Sequence, residues 1–286
     1  MSRDNEILNI ICEEEREPDW LVPDLFVQGG LICLGGEPGV GKSYISYTIG
    51  LAIASGSKVM GLLTPTEPRR VLYFDEENSS ADRSKYLRRS WFGMAHQLKR
   101  DPFDPDLLDL LQTNFWPLNF ELGTDDWRDK AAFDVEQIQP HLIIFDTATP
   151  AFNIEDENSN AEATQAIKGV RDLMQMTDPV ATALVLKHAK MRTEKGGRRS
   201  MRGAKAWQGA ADGVMFQVKA AGRPRRDGLA LTRLEPDKTR AYGLRQTIYI
   251  TPQWTDDDRN GLSLSGSYSA DKSHKAAEDA EEDNVN

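Results

Sequence analysis

Leu31-Ile32-Cys33-Leu34-Gly35-Gly36-Glu37-Pro38-Gly39-Val40-Gly41-Lys42-Ser43 is the stretch that decides how this chain is read. Its first four residues are a short continuous apolar run, the pattern of a strand buried on both faces. Gly36 to Ser43 then match G-x-x-x-x-G-K-[ST]. Glycines let such a loop wrap so that successive backbone N–H groups point at phosphate oxygens. A helix expected from about Ser43 to Ala54, ended by Gly56, adds its positive N-terminal end. A bound triphosphate is therefore expected against Gly36, Glu37, Pro38, Gly39, Val40, Gly41, Lys42, Ser43 and Tyr44, with Lys42 at the β- and γ-phosphates. The Ser43 hydroxyl suits magnesium, a hard cation that prefers oxygen. ATP and magnesium are the expected ligands. A chance match in a glycine-rich turn needs neither the strand before nor the helix after, and both are here.

Outward from this loop, Val71-Leu72-Tyr73-Phe74, Leu142-Ile143-Ile144-Phe145 and the run from Ala181 to Leu186 read as further buried strands. Helices are expected from about Ala81 to Lys99, from Asp125 to Ile138 and over residues 160–176. Strands alternating with helices predict an α/β domain with a mostly parallel central sheet, whose ligands sit at the carboxyl ends of the strands. After residue 212, Val214-Met215-Phe216-Gln217-Val218, Leu229-Ala230-Leu231-Thr232 and Gln246-Thr247-Ile248-Tyr249-Ile250 read as strands joined by turns, hence antiparallel. Residues 101–120, rich in Pro, Asp and Asn, give no clear element. The expected organisation is a flexible arm over 1–18, one domain over 19–255 and a disordered acidic tail over 256–286. That tail is rich in Ser, Ala and Glu and too poor in apolar surface to order itself.

Composition bounds the function. The chain has 286 residues, a formal net charge of −10 and 39% hydrophobic residues. This is enough for a real core, and the acidity excludes a histone-like protein that coats nucleic acid by bulk charge. Two cysteines, Cys12 and Cys33, and scattered histidines offer neither a disulfide framework nor metal-ligand spacing. The polar N-terminus does not read as a signal peptide, and no apolar run approaches the ~20 residues that span a bilayer. A cytoplasmic protein with no membrane partner is expected.

Further residues fall where such a sheet does its chemistry. Asp146 ends the run Leu142–Phe145, the position of an acid that holds magnesium; its bland reading is a turn aspartate. Asp75-Glu76-Glu77 close the run before, and one of them is expected to orient the attacking water, although a solvated helix N-terminus also favours acids. Alternation cannot choose among them. His188 follows the fourth strand, where a polar side chain can sense the γ-phosphate. Lys190, Arg192, Lys195, Arg198, Arg199, Arg202 and Lys205 then fall within sixteen residues against one acid, Glu194. In an acidic chain this local reversal of sign points to a nucleic-acid backbone. The bland reading is a solvated loop. No aromatic residue is interleaved, so base stacking is not indicated.

Together these residues resemble the RecA-like P-loop ATPases, in particular the branch containing the RepA-type hexameric helicases and the AAA_25 family. The resemblance covers about residues 19–250. It rests on Trp20-Leu21-Val22-Pro23, Gly36–Ser43, Tyr73–Asn78, Phe145-Asp146-Thr147, Lys187-His188-Ala189-Lys190 and Gly203–Asp212. It implies a RecA-like core, Glu77 as the catalytic glutamate, His188 as the sensor, the basic loop as a contact to single-stranded DNA facing a ring's centre, and a hexameric homo-oligomer. It also implies that Lys238 and Arg240, in Lys238-Thr239-Arg240, reach into a neighbour's site as a finger; a basic hairpin tip is the plainer alternative. The family often has two histidines in the sensor motif, and here the first is Lys187. Three functions follow in order: a ring ATPase acting on DNA in replication or recombination, helicase-like; a nucleotide-switched regulator or loader without motor activity; and a small-molecule kinase.

Overall fold

The computed structural model describes residues 18–118, 127–189, 200–201, 205–219, 229–239, 243–270 and 275. Strands β1 (Trp20–Val22) and β2 (Phe26–Val27) form a small antiparallel pair. The apolar Leu21, Val22, Leu25 and Phe26 of this pair are buried, so it plugs the core. The remaining strands are β3 (Leu31–Gly36), β4 (Val71–Asp75), β5 (Phe115–Leu118), β6 (Leu142–Asp146), β7 (Thr182–His188), β8 (Gly213–Lys219), β9 (Thr232–Thr239), β10 (Ile248–Trp254) and β11 (Leu262–Ser267). They form one sheet in the order β11-β10-β9-β8-β3-β7-β6-β4-β5. Pairing is parallel from β8 to β5 and antiparallel from β8 to β11. This is the expected α/β architecture, with antiparallel strands toward the C-terminus.

The helices are α1 (Lys42–Ser55), α2 (Ser80–Leu98), α3 (Pro105–Asn114), α4 (Trp127–Ile138), α5 (Ala148–Ala151), α6 (Asn160–Met174) and α7 (Ala206–Ala210). Central strands alternate between two cores, as the two-residue period of a strand requires. Ile32, Leu34, Val71, Tyr73, Leu142 and Ile144 join the core that α1 to α3 cover. Leu31, Cys33, Leu72, Phe74, Ile143 and Phe145 join the core that α4 to α7 cover. Burial of both faces is why these strands read as unbroken apolar runs. Cys33 is a core residue, and burial pushes its thiol up to about 12. None of the described helices is long and apolar enough to cross a membrane.

Three expectations shift. Residues 101–120 contain α3, begun by the Asp104 side chain accepting from the N–H groups of Asp106 and Leu107, with Pro105 in the first turn. They also contain β5, whose Pro117 is tolerated because β5 pairs with β4 alone at the sheet edge. The strand expected at Leu229–Thr232 begins only at Thr232 and runs through polar residues to Thr239. A register irregularity between Val214 and Met215 accommodates its passage past Pro236, which lacks an N–H. Finally, the sheet does not stop at residue 255. β11 lies inside the expected tail, and its Leu262 and Leu264 are buried. Two leucines on one face suffice for a strand when a neighbour covers that face, and average composition conceals them.

The neighbour is α2. A Cβ on Gly93 would stand 2.0 Å from the Leu262 carbonyl oxygen and 2.7 Å from the Ser263 nitrogen, both unyielding backbone atoms. Gly93→Ala is therefore expected to lower the unfolding free energy by about 1–3 kcal/mol through overpacking, outweighing the roughly 1 kcal/mol that alanine gains in a free helix. Denaturant titration checks this; a stabilised variant would show that β11 does not pack there.

Candidate functional site

The loop between β3 and α1 is built by glycines for distinct reasons. Gly36 is buried, and a Cβ there would stand 2.8 Å from Val40 Cγ1. Gly39 and Gly41 have φ of 69° and 99°, the left-handed region that side chains resist. Gly41 caps α1, and its carbonyl accepts the first helical bond, from the Ile45 N–H at 3.1 Å. Lys42 is buried, and its Nζ donates to the carbonyls of Gly36 and Glu37, each at 3.2 Å. Burial holds its pKa below the ordinary lysine value, while Glu77 and Asp146 act against that.

Asp146 ends β6 with no solvent exposure. Its Oδ2 accepts from the Tyr73 hydroxyl at 2.9 Å, and Tyr73 in turn shares a 2.6 Å bond with Ser46 Oγ. The Ser43 hydroxyl stands near enough to favour the ionised carboxylate. Burial, then the neighbouring Asp75, pushes the Asp146 pKa up to about 7, and the Ser43 and Tyr73 hydroxyls act against that. Asp75 accepts from the Tyr47 hydroxyl at 3.0 Å and from Asn78. Tyr47 stacks on Tyr73 at 4.2 Å. Asp146 Oδ1 is buried without a hydrogen-bond partner among the described residues. An orphaned carboxylate oxygen beside a serine hydroxyl is an all-oxygen donor set, which fits magnesium.

The third group is a line of charge. Parallel register sets His188 beside Gly36. His188 Nδ1 lies 3.4 Å from Lys42 Nζ, and Nε2 lies 3.4 Å from Glu77 Oε1. An ammonium only donates, so Nδ1 must accept; Nε2 then carries the proton and donates to Glu77. This hydrogen bond is the chief reason that the Glu77 pKa lies below the usual carboxylate value. Glu77, rather than Glu76, is the acid paired with His188. A cavity of about 440 Å³ opens over the loop, Glu77 and His188. Its far end is lined by Tyr44, Tyr86, Arg89 and Trp254, with Arg89 donating to the Tyr44 hydroxyl and lying 5.0 Å over the Trp254 ring.

Gly36 to Tyr44, Glu77, Asp146 and His188 are thus brought together. Lys238 is elsewhere: its Nζ donates to the carbonyls of Gln208, Gly209 and Ala211 at 2.7 to 2.8 Å, capping the carboxyl end of α7. Arg240 lies outside the described residues, as do Lys190, Arg192, Lys195, Arg198, Arg199 and Arg202. Around that basic segment an Ala189–Met201 bridge is described, one residue after His188. The sequence reading passed over Tyr73, Tyr47, Ser46 and Gln217. Tyr73 and Gln217 each put a polar group into an apolar strand that must find it a partner, which was the available signal.

A family model described as an AAA domain matches residues 4–194. No curated protein matches the chain significantly. Among solved structures, a KaiC-like protein from the hyperthermophilic archaeon Pyrococcus horikoshii OT3 aligns at 14% identity over 86% of this chain and 94% of its own, with a TM-score of 0.49.

The raised pKa of Asp146 has a stability consequence. Its folded value, about 7, lies above the ordinary aspartate value of 3.8. The favourable contribution of the protonated acid is complete below about pH 4 and is lost as pH rises through 7. Asp146→Asn is therefore expected to stabilise the nucleotide-free protein by a few kcal/mol above pH 7 and hardly at all near pH 4. Thermal melts across pH check it; a pH-independent difference would contradict the buried-acid account.

Proposed function

This chain belongs to the AAA domain family of nucleotide-hydrolysing P-loop proteins, and we propose that it is a magnesium-dependent ATP hydrolase working as an oligomeric motor on DNA. The observation that carries the hydrolase is the line Lys42–His188–Glu77 beside the Ser43–Asp146 pair. The loop N–H groups and the start of α1 hold the phosphates. Lys42 leaves its two carbonyls for the β- and γ-phosphates. Ser43 and Asp146 hold magnesium, which supplies charge neutralisation on the phosphates when bound. Glu77, ionised at neutral pH, orients the attacking water and accepts its proton. His188 answers to the γ-phosphate: when Lys42 swings to the nucleotide, His188 loses its partner on Nδ1 and its hold on Glu77 changes. The aromatic end of the cavity takes the base and sugar.

The motor reading is supported by the basic segment 190–205, which follows His188 directly in the sequence. Single-stranded DNA is its proposed ligand, held through the phosphate backbone. Arg240 is the proposed finger into a neighbouring subunit of a hexameric ring. With its ammonium engaged on α7, Lys238 acts in that element by placing the strand rather than by touching phosphate.

Glu77→Gln is expected to lower kcat by about 10²–10⁴-fold while retaining ATP, whereas Lys42→Ala loses both binding and turnover. Normal turnover by Lys42→Ala would sink the hydrolase reading. ATPase rates with and without single-stranded DNA test the motor separately. Stimulation at low salt that fades as salt rises is expected; unstimulated hydrolysis would favour a nucleotide-switched regulator or loader.

A further inference from the structure

We infer that Gln217 is a positioning residue that holds the phosphate loop in its nucleotide-binding shape, a role that rests on the nucleotide reading above. Gln217 lies on β8 among Val214, Met215 and Phe216, and only 4% of it is exposed. In the parallel register it is the partner of Gly36, the first residue of the loop. Its Nε2 donates to the Val40 carbonyl at 2.8 Å, across 177 residues of chain. The amide orientation is fixed by chemistry: a carbonyl accepts only, so nitrogen must face it.

The Val40 carbonyl is the one this loop most needs held. Val40 sits between Gly39 and Gly41, both in the left-handed region. That geometry is strained for any other residue and is kept by what surrounds it. Val40 is pinned at both ends: its side chain lies over Gly36, and its carbonyl is held by Gln217. The same Nε2 stands 3.4 Å from where a Cβ on Gly41 would be, so it also bounds the turn that starts α1.

The other half of the amide argues that stability is not the purpose. Gln217 Oε1 is buried without a hydrogen-bond partner in the described structure. A buried unsatisfied acceptor destabilises the fold. A side chain kept only for packing would be apolar here, as its neighbours are. Gln217 therefore gives up some stability of the empty protein to hold one carbonyl of the loop.

Gln217→Met keeps the length and removes both polar atoms. In the full chain with magnesium, Kd for ATP and for ADP is expected to rise together by about tenfold, or roughly 1.4 kcal/mol. The kcat at saturating ATP should stay within about twofold, since the reacting groups are untouched. The melting temperature without nucleotide should hold or rise. Gln217→Glu, nearly isosteric, loses the donor and adds negative charge near the phosphates, so its Kd should rise further. Unchanged Kd in both variants overturns the proposal. So does a lower melting temperature in Gln217→Met with unchanged Kd, the mark of a purely structural side chain. If the unaltered protein binds neither nucleotide, the nucleotide reading itself falls and takes this role with it.

Discussion

Where the central strands stop is the constraint on which the site depends. β3, β4, β6 and β7 are parallel, and their hydrogen-bonded register sets Gly36 beside His188 and Asp75 beside Asp146. A slip of one residue in any of them would turn its apolar set to the wrong core and its polar end away from the cavity. The apolar alternation that locks register for stability therefore also sets the geometry of the site. Chemistry-bearing residues stand at the carboxyl ends because there the chain leaves the sheet and a polar side chain need not enter the core.

Register brings acids and a lysine together where solvent reaches them too little to screen them. Asp75 and Asp146 are both buried, and a fully buried carboxylate is costly unless something opposes its charge. Tyr47, Tyr73 and Ser46 share the burden through hydroxyl bonds, and Lys42 stands near enough to be favoured by Asp146 and Glu77. The nucleotide-free site is thus left with a half-satisfied acid and a cation resting on two carbonyls. A polyphosphate carrying a divalent cation would relieve both tensions at once. That complementarity links packing to function: stability withheld from the empty site returns when ligand binds.

Much of this was legible in the sequence, for a physical reason. A strand buried on both faces must be apolar, so β3, β4, β6 and β7 appeared as runs, and Asp146 and His188 appeared where those runs ended. The phosphate loop was readable because only glycine allows its backbone. The reading weakened where tertiary contacts overrode local pattern. β11 exists because α2 presents Gly93 to it, and nothing local to Leu262–Ser267 says so. β9 puts Leu234 into the core, but its half-buried end from Glu235 to Thr239 leaves room for charge and a proline. Local pattern left Glu76 and Glu77 equivalent and only the resemblance pointed to Glu77; its pairing with His188, 111 residues away, is not a local signal. Lys238 read as part of a finger or of a basic hairpin tip, yet the end of α7 offers three carbonyls to its three donors.

The line from Lys42 through His188 to Glu77 is the centre of this account, and the ring nitrogens of His188 report on it directly. Nitrogen NMR of the histidine-labelled protein distinguishes the tautomers. His141, held neutral by burial beside Arg69 and Arg70 with its pKa lowered to about 4, serves as an internal reference. The account predicts a neutral His188 ring protonated on Nε2 in the nucleotide-free protein. A non-hydrolysable ATP analogue with magnesium should shift its Nδ1 resonance, ADP should shift it much less, and His141 should stay unmoved. A His188 ring protonated on Nδ1, or one indifferent to the γ-phosphate, would contradict it.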